Sequence, residues 1–407
     1  MSKIKNFIKR QLNKRGYTIS KINNNTVGTL NDGFQVFEDI VNPKESHFSK
    51  EDFAKRDDSV ITLNWVVPIM GVGSGGHLNI FRAIHHLSTH GIVNNIYIHC
   101  GDPKDTTESL RKFVKTNYEF DLGRNQIYPN TDNMEYADGT VATSWNTAYI
   151  VNNFKNTVSK FYFVQDFEPF FFAVGSNYYL AENTYRFGFR GVTAGDWLKN
   201  KLNKEYGMET ESFRFAYDRN LYYPKQKKDN ANRVFFYARP CTERRAFEIG
   251  CLAFTILAKK IPDVEIVFAG QDLGGMELPF KYTDLKTVEL SKLCDVYSQC
   301  DMCLVISSTN LSLLPMEVMA SNSVVVGNYG ANNEWLLNND NSILVNVDPV
   351  EIAEKIAYYL EHKDELQKFR ENGQKAIADI SWEKEFAKAA DFIVKSVNSD
   401  IEGLELK

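Results

Sequence analysis

The sequence has no apolar run approaching the roughly 18 residues that a membrane-spanning helix needs. It also has no continuous apolar segment behind its first residues, the feature that identifies a secretory signal peptide. Of its 407 residues, 43% are hydrophobic and 24% are charged, both close to the averages of globular proteins. We therefore expect a cytoplasmic protein of about two domains, since a domain usually contains about 100–200 residues.

Cysteine is scarce and forms no recognisable ligand pattern. The six cysteines do not have the spacing of a secreted disulfide framework, which favours a reducing compartment. Cys300 and Cys303 form a CxxC pair, but zinc binding would need a second pair or nearby histidines. We predict that these two are core cysteines. Because no Asp-x-Asp motif is present either, we expect neither a metal nor another cofactor.

A positive surface charge is missing as well. The net charge of −5 argues against a general nucleic-acid-binding protein, which would need a basic surface. The first 21 residues are the exception, because they contain seven Lys or Arg and no acid. Ile4, Phe7, Ile8 and Leu12 share one helical face there. This segment is consistent with a basic helix on the inner face of the cell membrane, and equally with a solvated terminus.

Two blocks of the chain repeat the order of apolar strand, turn and amphipathic helix that is typical of parallel α/β sheets. The polar, charged segment 222–232 predicts a linker between them. We therefore predict two Rossmann-like domains facing across a cleft, with ligands at the carboxyl ends of both sheets. The expected divisions are a basic lead-in at 1–58, a first domain at 59–222, a second domain at 233–380, and a C-terminal helix at 381–407 able to pack back on the first domain.

The elements expected inside these blocks follow from short apolar runs and helical spacings. Strands are predicted at 59–68, 94–100, 160–166, 191–195, 233–239, 264–270, 301–307, 323–328 and 342–346. Helices are predicted at 77–90, 243–260, 289–299, 312–321, 349–361, 363–379 and 382–396.

A glycine-rich loop follows the first predicted strand. Gly71, Gly73 and Gly76 match the GxGxxG dinucleotide fingerprint, so an NAD-dependent oxidoreductase is one alternative. Pro68 makes the loop long for the tight turn of that fingerprint, however. A more general interpretation is a flexible loop, including Gly75 and Gly76, whose following helix directs backbone amides and His77 at a phosphate. A glycine-rich turn without a ligand is a further alternative.

Three basic residues follow the first strand of the second block. Arg239 lies at the strand's carboxyl end, and Arg244 and Arg245 are predicted to begin the next helix. Positive charge in the first turn of a helix opposes the helix dipole, so it calls for a reason. An anion held between Arg239 and Arg244 supplies one, because guanidinium groups bind phosphate oxygens bidentately. A local ion pair with Glu243 or Glu248 is the simpler alternative.

A polar loop and a helix follow the buried strand at 301–307. Glu317 is predicted in the first turn of this helix, where its carboxylate is suited to accept hydrogen bonds from ribose hydroxyls. The backbone amides of Ser312, Leu313 and Leu314 are suited to a phosphate. Taken alone, Glu317 is also a favourable first-turn acid with no further role.

Together these segments resemble the donor half of the family-4 retaining glycosyltransferases. "YARP…R" is followed about 70 residues later by "LLPMEVMAS…VVVGN…NNE". The resemblance implies a GT-B fold, in which Arg239 and Arg244 bind the donor diphosphate without a metal and Glu317 holds the ribose. Thr309 stands where the family carries the first of two paired glutamates, a position that contacts the donor sugar.

The segment "FVQDFEPFFFAVGSNYYLAENTYRFGFRGVTAGDWL" narrows the resemblance to bacterial rhamnosyltransferases of surface-glycan, S-layer-glycan and rhamnan synthesis. Gln165 and Asp166 stand where relatives often have His-Asp, with the histidine near the 6-hydroxyl of the donor sugar. Rhamnose lacks that hydroxyl. The resemblance therefore implies a lipid-linked glycan acceptor and a nucleotide-sugar donor. The implied donor is dTDP-β-L-rhamnose, and a UDP-sugar is the alternative.

This hypothesis assigns catalytic roles to Asp166, Arg239 and Arg244. Donor binding is assigned to Gly75, Gly76, His77, Gln165, Arg239, Arg244, Thr309, Ser312, Leu313, Leu314 and Glu317. Asp166 and Glu168 are alternatively a strand-end cap and a surface acid. A non-catalytic carbohydrate-binding relative, suggested by Thr309, is the second alternative to a glycosyltransferase.

Overall fold

The computed structural model describes residues 36–44 and 46–405. The chain divides into two compact units, Met1–Lys44 and Glu45–Lys407. In the first unit, the described residues form a short helix, α1 (Phe37–Val41). The basic segment of the first 21 residues lies outside the described residues. The second unit contains two parallel sheets.

The first sheet has seven parallel strands in the order β3-β2-β1-β4-β5-β6-β7. The central strands β1 and β5 are mostly apolar and mostly buried, because helices cover both faces of such a sheet. The strands are β1 (Thr62–Pro68), β2 (Val93–His99), β3 (Gln126–Tyr128), β4 (Ala137–Ala142), β5 (Thr157–Val164), β6 (Arg190–Ala194) and β7 (Thr210–Phe213).

Helices precede, connect and flank these strands. Short 3-10 turns at Glu168–Phe171 and Thr184–Arg186 lie in the long connection between β5 and β6. The helices are α2 (Lys50–Ala54), α3 (Gly75–Thr89), α4 (Thr107–Tyr118), α5 (Trp145–Asn153), α6 (Ser176–Asn183) and α7 (Asp196–Tyr206).

The second sheet has six parallel strands in the order β10-β9-β8-β11-β12-β13. Its first helix is preceded by a 3-10 turn, Glu243–Arg245. The strands are β8 (Arg233–Tyr237), β9 (Glu265–Ala269), β10 (Tyr282–Asp284), β11 (Met302–Val305), β12 (Val324–Asn328) and β13 (Ile343–Val345). The helices are α8 (Phe247–Lys260), α9 (Leu290–Ser298), α10 (Leu314–Ala320), α11 (Ala331–Glu334), α12 (Pro349–Glu361), α13 (Leu366–Ile377) and α14 (Trp382–Glu405).

The last helix, α14, packs on the first sheet although it follows the second in sequence. Its Phe386 ring stacks on Phe213 of β7 with ring centroids 4.9 Å apart. Near its other end, Asp400 accepts hydrogen bonds from Ser159 of β5 and Arg190 of β6. An apolar cluster of buried residues continues from the first sheet into one face of the second.

The predicted α/β class with two parallel sheets is confirmed, but two local predictions are wrong. The helix predicted from residue 243 begins only at Phe247, because Ala246 adopts a left-handed conformation with φ of 49°. Arg244 and Arg245 therefore lie in a 3-10 turn and not in the first turn of that helix. Cys300 and Cys303 are buried and free, as predicted for core cysteines.

The strands β3, β4, β7 and β10 were not predicted from the sequence. β4 is the instructive one, since it lies beside β1 in the centre of the sheet and contains Asp138 and Gly139. The Asp138 carboxylate accepts hydrogen bonds from the backbone N–H and the hydroxyl of Thr62, each at 2.8 Å. These bonds allow a charged residue in a buried strand, where an apolar pattern was expected.

Candidate functional site

The predicted site residues lie in loops at the carboxyl ends of strands. The glycine loop follows β1, and Gln165 and Asp166 follow β5. Arg239 follows β8 of the second sheet, and the loop 306–313 follows β11. In open parallel sheets this is the edge at which ligands bind.

His77 is held inside the glycine loop. Its Nδ1 is 2.8 Å from the hydroxyl of Ser74, the residue that caps α3, and its Nε2 is 3.2 Å from the carbonyl oxygen of Pro68. Burial lowers the pKa of His77, which favours the neutral ring. Both ring nitrogens are thus engaged with the loop itself, so in this conformation His77 shapes the loop.

Gln165 joins the glycine loop to the end of β5. Its Nε2 donates to the carbonyl oxygen of Gly76 at 3.1 Å, and its Oε1 accepts from Asn79 of α3 at 3.2 Å. A Cβ atom added at Gly75 would meet nothing within 4 Å, and one at Gly76 would lie 3.7 Å from Gln165. The close helix packing for which a dinucleotide fingerprint needs its third glycine is therefore absent at Gly76.

Asp166 connects the two sheets. Its Oδ1 accepts from the backbone N–H of Asn310 at 2.7 Å, and its Oδ2 accepts from the hydroxyl of Thr309 at 2.8 Å. The Asn310 side chain adds two bonds in the same direction, to the carbonyl oxygens of Gln165 and Ala194. Burial raises the pKa of Asp166, although the bond from Asn310 and the charges of Arg245 and Arg244 act in the opposite direction.

Three guanidinium groups form a cluster, in which those of Arg244 and Arg245 face Asp166. The Nε of Arg244 is 3.9 Å from Asp166 Oδ2, and its guanidinium carbon is 4.4 Å from the centre of the Phe171 ring. Arg239 donates from Nε and Nη2 to the hydroxyl of Tyr237. Arg245 donates to the hydroxyl of Ser307 at 2.7 Å, and the charges of Arg239 and Arg244 both act on it. The site therefore combines three positive groups with one carboxylate.

The loop after β11 is fixed by side-chain amides. Asn332 donates to the carbonyl oxygens of Ser307 and Thr309, and the backbone N–H of Leu311 donates to the carbonyl oxygen of Asn332. Ser312 and Leu313 follow in this loop, and Leu314 begins α10. The first backbone N–H groups of a helix have no partner within the helix.

Glu317 lies in a different part of the site. The Tyr297 hydroxyl donates to its Oε2 at 3.5 Å, and Tyr222 and Arg82 also face it. Burial raises the pKa of Glu317 to about 7, and these neighbours only partly offset that effect. Within the described part of the chain, Glu317 makes no ion pair with Arg239 or Arg244.

Tyrosine side chains link the two parts of the site. Tyr297, which bonds Glu317, also lies near Tyr237, the acceptor for Arg239. Arg82 reaches Glu317 from helix α3 of the first sheet, and its guanidinium carbon is 4.3 Å from the centre of the Trp382 ring. The predicted site residues thus form three neighbouring groups around the facing edges of the sheets, centred on Gln165, Asp166 and Glu317.

Glu168 lies two residues after Asp166 and is also buried. The alternative of a surface acid is wrong, because Glu168 is 6% exposed. Its Oε2 accepts from the backbone N–H of Trp145 at 2.6 Å. Burial raises the pKa of Glu168 to about 8, and the nearby charge of Asp166 adds to the effect. Arg245, Asn310 and Arg82 also join the site without having been assigned to it.

No group of three or more His, Cys, Asp or Glu side chains suited to a metal ion occurs among residues 36–44 and 46–405. In the same part of the chain, no helix combines the length and the apolar character that crossing a bilayer requires.

Comparisons with known proteins match both halves of this architecture. The family model "WsaF, N-terminal domain" matches residues 106–194, and "WsaF, C-terminal domain" matches residues 232–357. The O-antigen biosynthesis protein RfbC of Myxococcus xanthus is 29% identical over 336 residues, which are 80% of this chain and 26% of that protein. The chain thus spans about a quarter of the length of this relative.

Solved structures show the same fold at low identity. HepE of Anabaena in complex with UDP-glucose is 14% identical, with a TM-score of 0.62 over 82% of this chain and 100% of that one. TarM of S. aureus in complex with UDP is 10% identical, with a TM-score of 0.63 over 81% of this chain and 99% of that one. The two parallel sheets of this chain thus have the GT-B fold of these structures. Because both WsaF domains are matched in order, the chain belongs to the WsaF family.

Proposed function

We propose that this protein is a glycosyltransferase, which moves L-rhamnose from dTDP-β-L-rhamnose to a growing cell-surface polysaccharide. The acceptor is lipid-linked and is reached at the inner face of the cell membrane. Support comes from the WsaF family membership and from the relative named for O-antigen biosynthesis. Support also comes from the sequence resemblance to surface-glycan rhamnosyltransferases. In this chain Gln165 stands where relatives often have the histidine near the sugar 6-hydroxyl.

The observation that carries the proposal is the guanidinium cluster, in which Arg244 and Arg245 face Asp166. The difficult step in glycosyl transfer is departure of the nucleoside diphosphate while positive charge develops on the sugar. Arg239 and Arg244 bind the leaving diphosphate and stabilise its negative charge, without a metal ion or other cofactor. Preorganised positive groups in a partly dry site are suited to that task, because they need no reorganisation during the reaction.

In this proposal each of the remaining predicted residues contacts or positions a different part of the donor. Glu317 accepts hydrogen bonds from the ribose in its ionised form, which a pKa of about 7 makes available at neutral and higher pH. Ser312, Leu313 and Leu314 direct backbone amides at the phosphates, and the sugar lies beside Gly75, Gly76 and His77. Thr309, predicted to contact the sugar, is instead fully buried and bonded to Asp166. Asp166 acts from the opposite sheet, where it holds Thr309 and faces Arg244.

The stereochemical course follows from the family resemblance and completes the proposal. Transfer proceeds with retention by attack on the front face of the sugar. The departing phosphate then accepts the proton of the acceptor hydroxyl. The engaged oxygens of Asp166 are consistent with this course, since both already accept hydrogen bonds from the second sheet.

A panel of nucleotide sugars tests the proposed function. The protein is incubated with dTDP-β-L-rhamnose, UDP-glucose or UDP-N-acetylglucosamine and a rhamnose-containing acceptor, and the product is measured by mass spectrometry. We expect the mass of one deoxyhexose to be added from dTDP-rhamnose without added metal. Transfer of only another sugar would contradict the donor assignment. Thermal stabilisation by NAD but not by dTDP or UDP would instead favour the oxidoreductase alternative.

A further inference from the structure

We propose that Arg245 is a third donor-binding residue, whose guanidinium group contacts the diphosphate of the donor together with Arg239 and Arg244. The inference rests on the proposed function, because it assigns a further residue to the same diphosphate. It goes beyond the pair that the sequence indicated. The spacing of Arg239 and Arg244 in the sequence indicated that pair, whereas the position of Arg245 in the folded chain indicates the third residue.

The backbone directs Arg245 toward the loop after β11. Arg245 ends the 3-10 turn Glu243–Arg245, and Ala246 then turns the chain in a left-handed conformation. The carbonyl oxygen of Arg244 accepts from the backbone N–H of Ser308 at 3.0 Å, so the turn is fixed against that loop. Two neighbouring arginines are thereby held against the loop that also carries Thr309.

A buried hydroxyl orients the Arg245 guanidinium group. Its Nη1 donates to Ser307 Oγ at 2.7 Å, and Ser307 is fully buried. The same hydroxyl donates to the carbonyl oxygen of Asn310 at 2.9 Å, so it is available to accept from the arginine. A guanidinium group has five N–H donors, of which this bond uses one. The others can bind phosphate oxygens in the planar geometry that arginine favours.

The charge around Arg245 is unbalanced. Arg244 and Arg239 face it with the same sign, and Asp166 faces it with the opposite sign. Three guanidinium groups and one carboxylate leave an excess of two positive charges even when Asp166 is ionised. Burial lowers the pKa of Arg245, because it withdraws the guanidinium charge from water. A nucleoside diphosphate carries the negative charge that such a cluster needs.

Asp166 alone cannot supply the hydrogen-bond acceptors and the negative charge that the three guanidinium groups require. Its two oxygens already accept from the Asn310 amide and the Thr309 hydroxyl, and its distance of 3.9 Å to Arg244 Nε is too long for a hydrogen bond. Among the described residues, the buried Nε of Arg244 has no hydrogen-bond acceptor. A buried charged donor without an acceptor is costly, so phosphate oxygens fit this position.

Calorimetric binding of dTDP and of inorganic pyrophosphate tests the proposal. Arg245→Gln is expected to weaken both by about tenfold to a hundredfold, since each hydrogen bond to a charged group contributes that order of affinity. Arg245→Lys keeps the positive charge but loses the planar guanidinium group. Its affinity for dTDP and pyrophosphate is expected to lie between those of Arg245→Gln and the wild type. Arg124→Gln is the control, because Arg124 is an exposed arginine outside the site.

Two outcomes would separate the inference from the proposed function. If wild-type protein binds dTDP and pyrophosphate and Arg245→Gln binds them equally well, the inference fails and the proposed function stands. If wild-type protein binds neither dTDP nor UDP, the proposed function fails, and the inference with it. Thermal unfolding of each variant checks that it is folded. If Arg245→Gln does not fold, the folded Arg245→Lys variant provides the test. Binding of dTDP and pyrophosphate by Arg245→Lys as tightly as by the wild type would contradict the inferred contact of the guanidinium group with the diphosphate.

Discussion

At the scale of single residues, the site depends on side chains whose ordinary behaviour burial has changed. Glu168 and Glu317 both hold their protons to a higher pH than a solvated glutamate, with pKa values of about 8 and about 7. Arg245 and Asn310 likewise have hydrogen-bond partners that only the folded chain brings near, Ser307 and Asp166. The sequence singled out Glu317 and noted Arg245, but it did not indicate the buried partners of Glu168 and Asn310, because those partners lie far away in the chain.

The buried Glu168 predicts a decline of stability with rising pH. Its pKa is raised from 4.5 to about 8, so the folded protein binds more protons than the unfolded chain between these values. Stability from this group is therefore complete below pH 4.5 and is lost as the pH rises through 8. In Glu168→Gln the amide oxygen still accepts from Trp145, but the titration is removed.

Thermal unfolding at pH 4.5 and pH 8 checks this prediction. The midpoint of Glu168→Gln is expected to rise relative to that of the wild type as the pH increases. Glu317 adds a similar decline that ends near pH 7 and is present in both proteins. Glu361→Gln, at an exposed helix position, is the control. A constant difference between variant and wild type at both pH values would contradict the buried titration of Glu168.

At the scale of elements, apolar runs predicted most strands, and polar or short strands were missed. β4 was missed because Asp138, Gly139 and Thr140 interrupt its apolar pattern, although every residue of the strand is buried. The start of α8 was misplaced because the left-handed Ala246 carries no sequence signal that differs from an ordinary helical alanine. Periodicity reports which side of an element is buried, and it does not report what satisfies a buried polar group.

Gly139 provides the prediction for β4. A Cβ atom there would lie 2.7 Å from Leu63 Cδ2 and 3.1 Å from Phe161 Cε2, so the neighbouring side chains would have to move. Gly139→Ala is expected to lower the free energy of unfolding by about 1–3 kcal/mol, as overpacking usually does. Urea denaturation measures the change. Gly403→Ala, where a Cβ would meet nothing within 4 Å in α14, is expected not to destabilise the protein, and equal losses in both variants would refute the packing argument.

At the scale of the whole molecule, the two sheets are joined through the site itself. Asp166 and Asn310 carry hydrogen bonds from the end of β5 to the loop after β11. The two-sheet architecture could be predicted from the sequence, since each block has its own series of strands. The link between the sheets could not, because it pairs polar residues that are distant in the chain and have no periodic pattern.

A double-mutant cycle tests the link. Asp166→Ala and Thr309→Val each remove a partner of the 2.8 Å bond between the two sheets. Because the two side chains interact directly, their effects on the free energy of unfolding should couple by about 0.5–1.5 kcal/mol. Denaturation of the wild type, both single variants and the double variant gives the coupling. Strictly additive effects would mean that this bond does not stabilise the junction.

The central claim is that guanidinium groups at the carboxyl edge of the second sheet stabilise the departing diphosphate. The most direct test is the rate of sugar transfer by Arg239→Ala, with Arg124→Gln as a surface control. Removing one preorganised donor is expected to lower kcat about 100- to 1000-fold, or about 3–4 kcal/mol of transition-state stabilisation, while the fold is retained. A loss of less than about tenfold would contradict the account.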